Sequence, residues 1–221
     1  MPNTPPSPPI VPAGAAIESA SFRVIEERAG DHSHYDPQQW NVVRRLIHTS
    51  GDFDFNGITH FHPEAILAAT SAFLRGAPLV VDVEMIRAGV TQRRLEPLGV
   101  TVYQFNADPQ VIALAKKEAT TRTVQAVRTA WRQGLLEGGV AAVGNAPTAL
   151  LEMIRLIKEE NLRPALIIGV PVGFISAAES KEALMKVDEV PWISIQGSKG
   201  GSTLAVATLH ALMDIALGKP H

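Results

Sequence analysis

Three times in this 221-residue chain an apolar run ends in Gly- and Pro-rich residues and gives way to a helical pattern: VAAVGNAPTALLEMI from Val140, ALIIGVPVGFISAAESKEAL from Ala165 and WISIQGSKGGSTLAVATLHALM from Trp192. Short apolar runs without polar alternation suit strands buried on both faces, as in a parallel sheet covered by helices. The ligand side of such a sheet lies beyond the carboxyl ends of its strands, where loops of small residues bring backbone N–H groups and helix N-termini up to an anion. The pattern therefore predicts an α/β fold and a negatively charged ligand.

Strands are expected at Leu79–Val83, Val100–Phe105, Val140–Val143, Ala165–Val170 and Trp192–Ile195, giving a single α/β domain over residues 14–221 with a mostly parallel five-stranded sheet flanked by helices. The helix starts carry their own marks. Asp36-Pro37-Gln38-Gln39 combines a cap, a first-turn proline and the reach-back glutamine of a capping box, and Gly51 closes the helix it opens. Asp108-Pro109 opens another helix, Asn145 with Pro147 a third, and Ser176-Ala177-Ala178-Glu179 has the spacing of a capping box. Residues 1–13 hold six prolines and too little apolar surface to offset ordering, so a loose or polyproline-like tail is expected there.

Composition narrows the function. A hydrophobic content of 46% suffices for one large core, and a formal charge of −2 lacks the basic excess of a nucleic-acid binder. The absence of cysteine removes disulfides, thiolate metal sites and cysteine nucleophiles together and fits a reducing, cytoplasmic setting. The longest apolar stretch, Ala165 to Ile175, is too short to span a bilayer and is interrupted by Gly169, Pro171 and Gly173, so no membrane segment is expected.

Several residues have the right types for chemistry. Ala119-Thr120-Thr121-Arg122-Thr123 interrupts an otherwise helical pattern with β-branched hydroxyl residues that favour a cap. With Thr121 as that cap, Arg122 lies in the first turn beside free N–H groups, a place to clamp a carboxylate; a solvent-facing arginine fits the same spacing. Gly197-Ser198-Lys199-Gly200-Gly201-Ser202 offers a flexible loop, an ammonium and a helix start, without P-loop spacing. His48, in the last turn of the helix from Pro37, is either a capping or core side chain or a group that gives and takes protons near neutrality. His60 and His62 alternate as in a strand and, with Asp52 or Asp54, imitate a metal site, but no third ligand has a recognisable spacing and no metal is expected. Asp82 and Glu84 flank the end of the first strand as caps or as site residues.

Assembled, these segments resemble the precorrin-8X methylmutase family, together with the cobalt-precorrin-8 methylmutases of the anaerobic route to cobalamin. The likeness runs from about Gly14 to Leu212. It rests on Ser21-Phe22, the Ile47-His48 helix end, Asp82-x-Glu84-Met85, Thr121-Arg122, the runs Val143 to Leu150, Gly169 to Phe174 and Ala177 to Lys181, and Gly200-Gly201-Ser202. The resemblance implies a homodimer with sites near the subunit interface, and an isomerase that needs no cofactor. Its members move a methyl group suprafacially between adjacent ring C carbons of precorrin-8X, or of cobalt-precorrin-8, giving hydrogenobyrinic or cobyrinic acid. Substrate and product are thus corrinoid polycarboxylates.

The same resemblance puts the catalytic histidine at His48, as an acid toward the macrocycle, the substrate-contacting serine at Ser21 and the arginine at Arg122. Thr121 and Asn145, each at an expected helix start, join the substrate-binding set, and Lys199 joins it from the loop argument alone. Glu18 stands where some members carry tyrosine, and Thr123 where serine commonly follows the arginine. A glutamate turned toward a polycarboxylate would repel it, so Glu18 is expected to face away or to pair with a base. Two other classes of function fit parts of the pattern: a non-catalytic corrinoid carrier or scaffold, and a sugar-phosphate or nucleotide enzyme built on the Gly197–Ser202 loop.

Overall fold

A computed structural model of the chain describes residues 14–219, and the expected polyproline-like tail, residues 1–13, lies outside the described residues. One sheet organises them, with six strands where the sequence predicts five. The addition is β1 (Thr59–Phe61), which pairs antiparallel with the last strand, Thr59 opposite Ile195. It has no apolar run of its own, so pairing at the sheet edge is what makes it a strand. The others follow the apolar runs with trimmed ends: β2 (Leu79–Val81), β3 (Val102–Tyr103), β4 (Val140–Val143), β5 (Leu166–Gly169) and β6 (Trp192–Ile195). These five are parallel, in the spatial order β1-β6-β5-β4-β2-β3. Strand order reverses between β2 and β4, which makes the carboxyl ends of these two strands the topological switch point.

Alternation along the strands divides the core in two. Leu79, Val81, Val140, Ala142, Leu166 and Ile168 face a layer that contains α1 (Gly14–Arg28), α2 (Pro37–Ser50), the short turn α3 (Phe55–Ile58), α4 (Ala65–Leu74), α5 (Glu84–Gly89) and α6 (Gln92–Leu98). Val80, Ala141, Val143 and Ile167 face the other layer, where α8 (Arg122–Arg132), α9 (Pro147–Glu159) and α10 (Ala177–Leu184) pack and α7 (Pro109–Lys117) lies against α8. The last helix, α11 (Ser202–Ala216), belongs to the first layer and touches α2, α4, α5 and α6. It is buried on most of its circumference because Leu204, Ala205, Leu209, Leu212 and Met213 are turned inward.

The local start and stop signals act largely as read. Asp36 and Gln39 form the reciprocal capping box, Gly51 ends α2 in the left-handed region at φ 70°, Asp108 caps α7, and Thr121 accepts the Val124 N–H at 3.2 Å. Two caps differ. The residue before α9 is Ala146 rather than Asn145, and Ser176 sits in the left-handed region at φ 59° with no side-chain cap. A capping hydroxyl needs an extended backbone to lie over the first turn, and the loop entering α10 does not supply one.

Candidate active site

α1 lies against α2, and a cavity of about 580 Å³ opens between α1 and the C-terminal turn of α2, lined by Ile17, Ala20, Ser21, Val24, His48 and Phe53 among others. Ser21 and His48 therefore meet in one largely apolar space. The His48 ring lies 4.9 Å from that of buried Phe22. The Ser21 hydroxyl donates to the Ile17 carbonyl at 2.9 Å, which spends its proton on the helix and leaves its oxygen free to accept. Glu18 pairs with Arg45 at 2.5 Å, as its expected base, and that guanidinium holds the carboxyl below the usual glutamate range.

The three Gly-rich loops lie side by side beyond β4, β5 and β6, and three of their amides are taken up by one another. Gly201 N–H donates to the Val170 carbonyl at 2.8 Å, Gly173 N–H to Ser198 at 3.2 Å and Val172 N–H to Gly144 at 3.4 Å. Small residues are required by this loop-on-loop packing: a Cβ on Gly144 would come within 2.8 Å of the Ser202 Cα, and one on Gly200 within 2.3 Å of the Val170 carbonyl oxygen.

The switch point itself is filled by the protein's own carboxylate. Asp82, buried just past β2, accepts the N–H groups of Gly144 at 3.1 Å, Asn145 at 2.8 Å and Ala146 at 2.8 Å. Burial pushes its carboxyl up from the usual aspartate range, and the three donors pull it partly back. The expectation that this loop presents its amides to an external anion is thus corrected, since the N–H groups of Gly144, Asn145 and Ala146 are already satisfied by Asp82. Of Asn145, only the exposed side chain remains available. Glu84 makes an exposed pair with Arg87 at 2.7 Å.

Arg122 is exposed in the first turn of α8. The hydroxyls of Thr121, Thr123 and Thr148 form a triangle with edges of 2.9–3.3 Å that ties the starts of α8 and α9 together, so Arg122 and Asn145 stand at neighbouring helix ends. Neither they nor Thr121 line the cavity that holds Ser21 and His48.

Lys199 is not a free cation. Its ammonium lies 2.5 Å from Asp52 and 2.6 Å from Asp54, and the two carboxylates raise its pKa above the ordinary lysine value. It fastens the β6–α11 loop to the segment just past α2. Beneath it, Lys181 is fully buried and donates to the Lys199 carbonyl at 2.6 Å; burial pushes this ammonium down to about 8. Lys181 closes the run Ala177 to Lys181 that carries part of the resemblance, but no role is assigned to it from sequence.

Lys199 also fills the place between Asp52 and Asp54 that a metal would need. His60 lies 3.4 Å from Gln196 Oε1, and His62 accepts the Glu64 N–H at 3.2 Å. Among the described residues no three His, Asp or Glu side chains converge as metal ligands, and no helix is long and apolar enough to cross a membrane.

Two smaller cavities, of about 310 and 330 Å³, flank the start of α11 and share Thr49 and Thr203. His210 lines the first of them; its position eight residues after Ser202, on the same helix face, is the signal that would have found it.

Residues 16–215 match the family described as precorrin-8X methylmutase. The chain is 46% identical over 205 residues to the cobalt-precorrin-8 methylmutase of Leptospira interrogans, covering 90% of this chain and 93% of that one. It is 37% identical over 200 residues to the precorrin-8X methylmutase of a Sinorhizobium species, covering 90% and 93%. Among solved structures, the precorrin-8X methyl mutase from Thermus thermophilus is similar with a TM-score of 0.87 and 46% identity, over 93% of this chain and 97% of that one.

Proposed function

The chain belongs to the precorrin-8X methylmutase family and is an isomerase of cobalamin biosynthesis; we propose that His48, in the cavity between α1 and α2, is the acid of its methyl migration. The observation that carries this reading is the meeting of His48 and Ser21, from two helices, in one apolar cavity. Its substrate is precorrin-8X or cobalt-precorrin-8, the cobalt being carried by the macrocycle. One carbon–methyl bond of ring C breaks and another forms at the adjacent carbon, the methyl travelling with its bonding pair. A proton delivered by His48 to a ring nitrogen or carbon draws electron density from the migrating centre, and it is given up again once the methyl has moved. Atoms, charge and oxidation state of product and substrate are equal, so neither reductant nor oxidant takes part.

Ile17, Ala20, Val24 and Phe53 supply apolar walls for the face of the macrocycle, and the Ser21 oxygen an acceptor. Arg122, with Thr121 and Asn145, is assigned to acetate or propionate arms that extend beyond the cavity, through charge-assisted hydrogen bonds at two adjoining helix starts. Lys199, already matched by Asp52 and Asp54, holds its loop rather than a substrate carboxylate. Phe174 and Ile175, which are 94% and 86% exposed in the loop before α10, support a homodimer in which a second copy covers them. A monomer by light scattering would count against that assembly.

The test is an absorbance assay with precorrin-8X and, in parallel, its cobalt form, comparing wild type with His48→Ala. Conversion to the product chromophore by wild type alone is the expected result, and the preferred substrate assigns the route. Stoichiometric binding by both proteins without conversion would make the chain a carrier.

A further inference from the structure

Ser202, Val206 and His210 recur every four residues along α11 and so form one stripe. With Thr203 they make one wall of the 310 Å³ cavity, whose other walls are Met85 and Gly89 of α5 and Thr49, the residue next to His48. Gly89 permits this close approach of α5 to α11, because a Cβ there would fall 2.7 Å from Val206 Cγ2. The cavity thus adjoins the His48–Ser21 cavity across the last turn of α2.

His210 is half-buried in that wall, and its Nε2 faces the Thr91 backbone N–H at 3.3 Å. A backbone N–H only donates, so Nε2 is the unprotonated nitrogen and the neutral ring carries its proton on Nδ1. Burial first, then Arg94, Arg45 and Arg93, with Asp214 opposing, push the ring down to about 4, which keeps it in this neutral tautomer near pH 7. Among the described residues Nδ1 has no hydrogen-bond partner. The ring therefore offers one oriented donor beside the cavity; Arg94 and Arg45 nearby are already paired with Asp214 and Glu18, and the acceptor that bonds such a donor most strongly is a carboxylate oxygen.

We propose that His210 is a substrate-binding residue whose Nδ1–H donates to a carboxylate oxygen on an acetate or propionate arm of the macrocycle, the arm's apolar stem lying against Met85 and Val206. The inference rests on the functional reading above, which places the macrocycle in the His48–Ser21 cavity; one arm would then pass the last turn of α2 into the 310 Å³ cavity. The mechanism uses no other group from this wall, so His210 sets how the ring is held rather than how the proton moves.

Two substitutions separate the two nitrogens. His210→Gln puts an amide oxygen where Nε2 accepts from Thr91 and removes the donor at Nδ1; His210→Asn keeps an amide N–H near Nδ1 and gives up the Thr91 contact. The probe is the product corrinoid, titrated by absorbance, so that binding is read without turnover. The expected result is a Kd raised about tenfold in His210→Gln at unchanged Tm, with KM following and kcat within about threefold, while His210→Asn keeps its Kd within about threefold although its Tm falls. A wild-type Kd in His210→Gln would overturn the proposal, and so would losses of affinity that merely track losses of Tm in both variants. Product binding by wild type without any turnover would overturn the functional reading while leaving His210 to be judged on Kd; a wild type that binds no corrinoid would overturn both.

Discussion

The His48 ring lies 4.9 Å from the Phe22 ring with 31° between their planes, and Phe22 is held in turn by the Arg44 and Arg45 guanidiniums, each 4.9 Å from its centroid. An imidazole on the exposed last turn of a helix has several rotamers open to it. A buried aromatic ring beside it removes part of that freedom, and so Phe22 orients the His48 imidazole, the proposed acid, while Arg44 and Arg45 hold Phe22.

Phe22→Leu keeps the site apolar but takes that guide away. It is expected to lower kcat about tenfold with a smaller change in KM, since an acid aimed imperfectly is lost mainly from the chemical step. The lost ring contacts should cost about 1–3 kcal/mol in chemical denaturation. Unchanged kcat in the folded variant would show that His48 needs no such neighbour.

Asp82→Asn tests the filled switch point. Two carboxylate oxygens accept three N–H donors, whereas an amide offers one oxygen and turns its NH₂ toward the remaining N–H groups. A destabilisation of roughly 2–3 kcal/mol is expected, measured by urea unfolding. Because the same bonds hold the loop that carries Asn145, a residue proposed to contact a substrate arm, product affinity should fall as well. Wild-type stability would mean that the three amides find another acceptor.

Why these relationships escape the sequence is a matter of distance along the chain. The caps at Asp36, Gly51, Asp108 and Thr121 are legible because each is decided by residues within a turn, and β4, β5 and β6 because a run of buried apolar residues has few other places to go. Ser176 carries the capping-box spacing, yet its backbone conformation is set by the loop it leaves. β1 is a strand only because β6 lies beside it. Asp82 on Gly144 and Lys199 between Asp52 and Asp54 join segments far apart, so the glycines and the lysine read as ligand-binding groups until the fold supplies their internal partners. His48 is visible as a polar residue at a helix end, but its sharing of a cavity with Ser21 follows from the packing of α1 on α2.

Gly144→Ala addresses the contact between two of the Gly-rich loops. The new Cβ would meet Ser202 Cα at 2.8 Å and Ser202 N at 2.9 Å, and both are backbone atoms at the start of α11 that no side-chain rotation can move. Overpacking of this kind is expected to cost about 1–3 kcal/mol and to shift α11 with its cavity wall. The measurement is Tm together with product Kd, and a variant unaltered in both would show that α11 can slide without consequence.

Lys181 should leave a mark on stability against pH. Its ammonium is fully buried, it donates to the Lys199 carbonyl, and burial lowers its pKa from 10.5 in the open chain to about 8. Below pH 8 both folded and unfolded chains are protonated, and the fold bears the whole cost of the buried charge. Between about 8 and 10.5 the unfolded chain holds a proton that the folded one has released, so this residue makes the fold more stable as pH rises through that window. The full change amounts to about 3 kcal/mol. Lys181→Met has no such titration. Wild-type stability minus that of the variant, from urea unfolding at a series of pH values, is therefore expected to climb from pH 7.5 to 10.5 by up to about 3 kcal/mol. A flat difference would mean that the ammonium is solvated or paired beneath the loop, and that Lys181 holds Lys199 at no electrostatic cost.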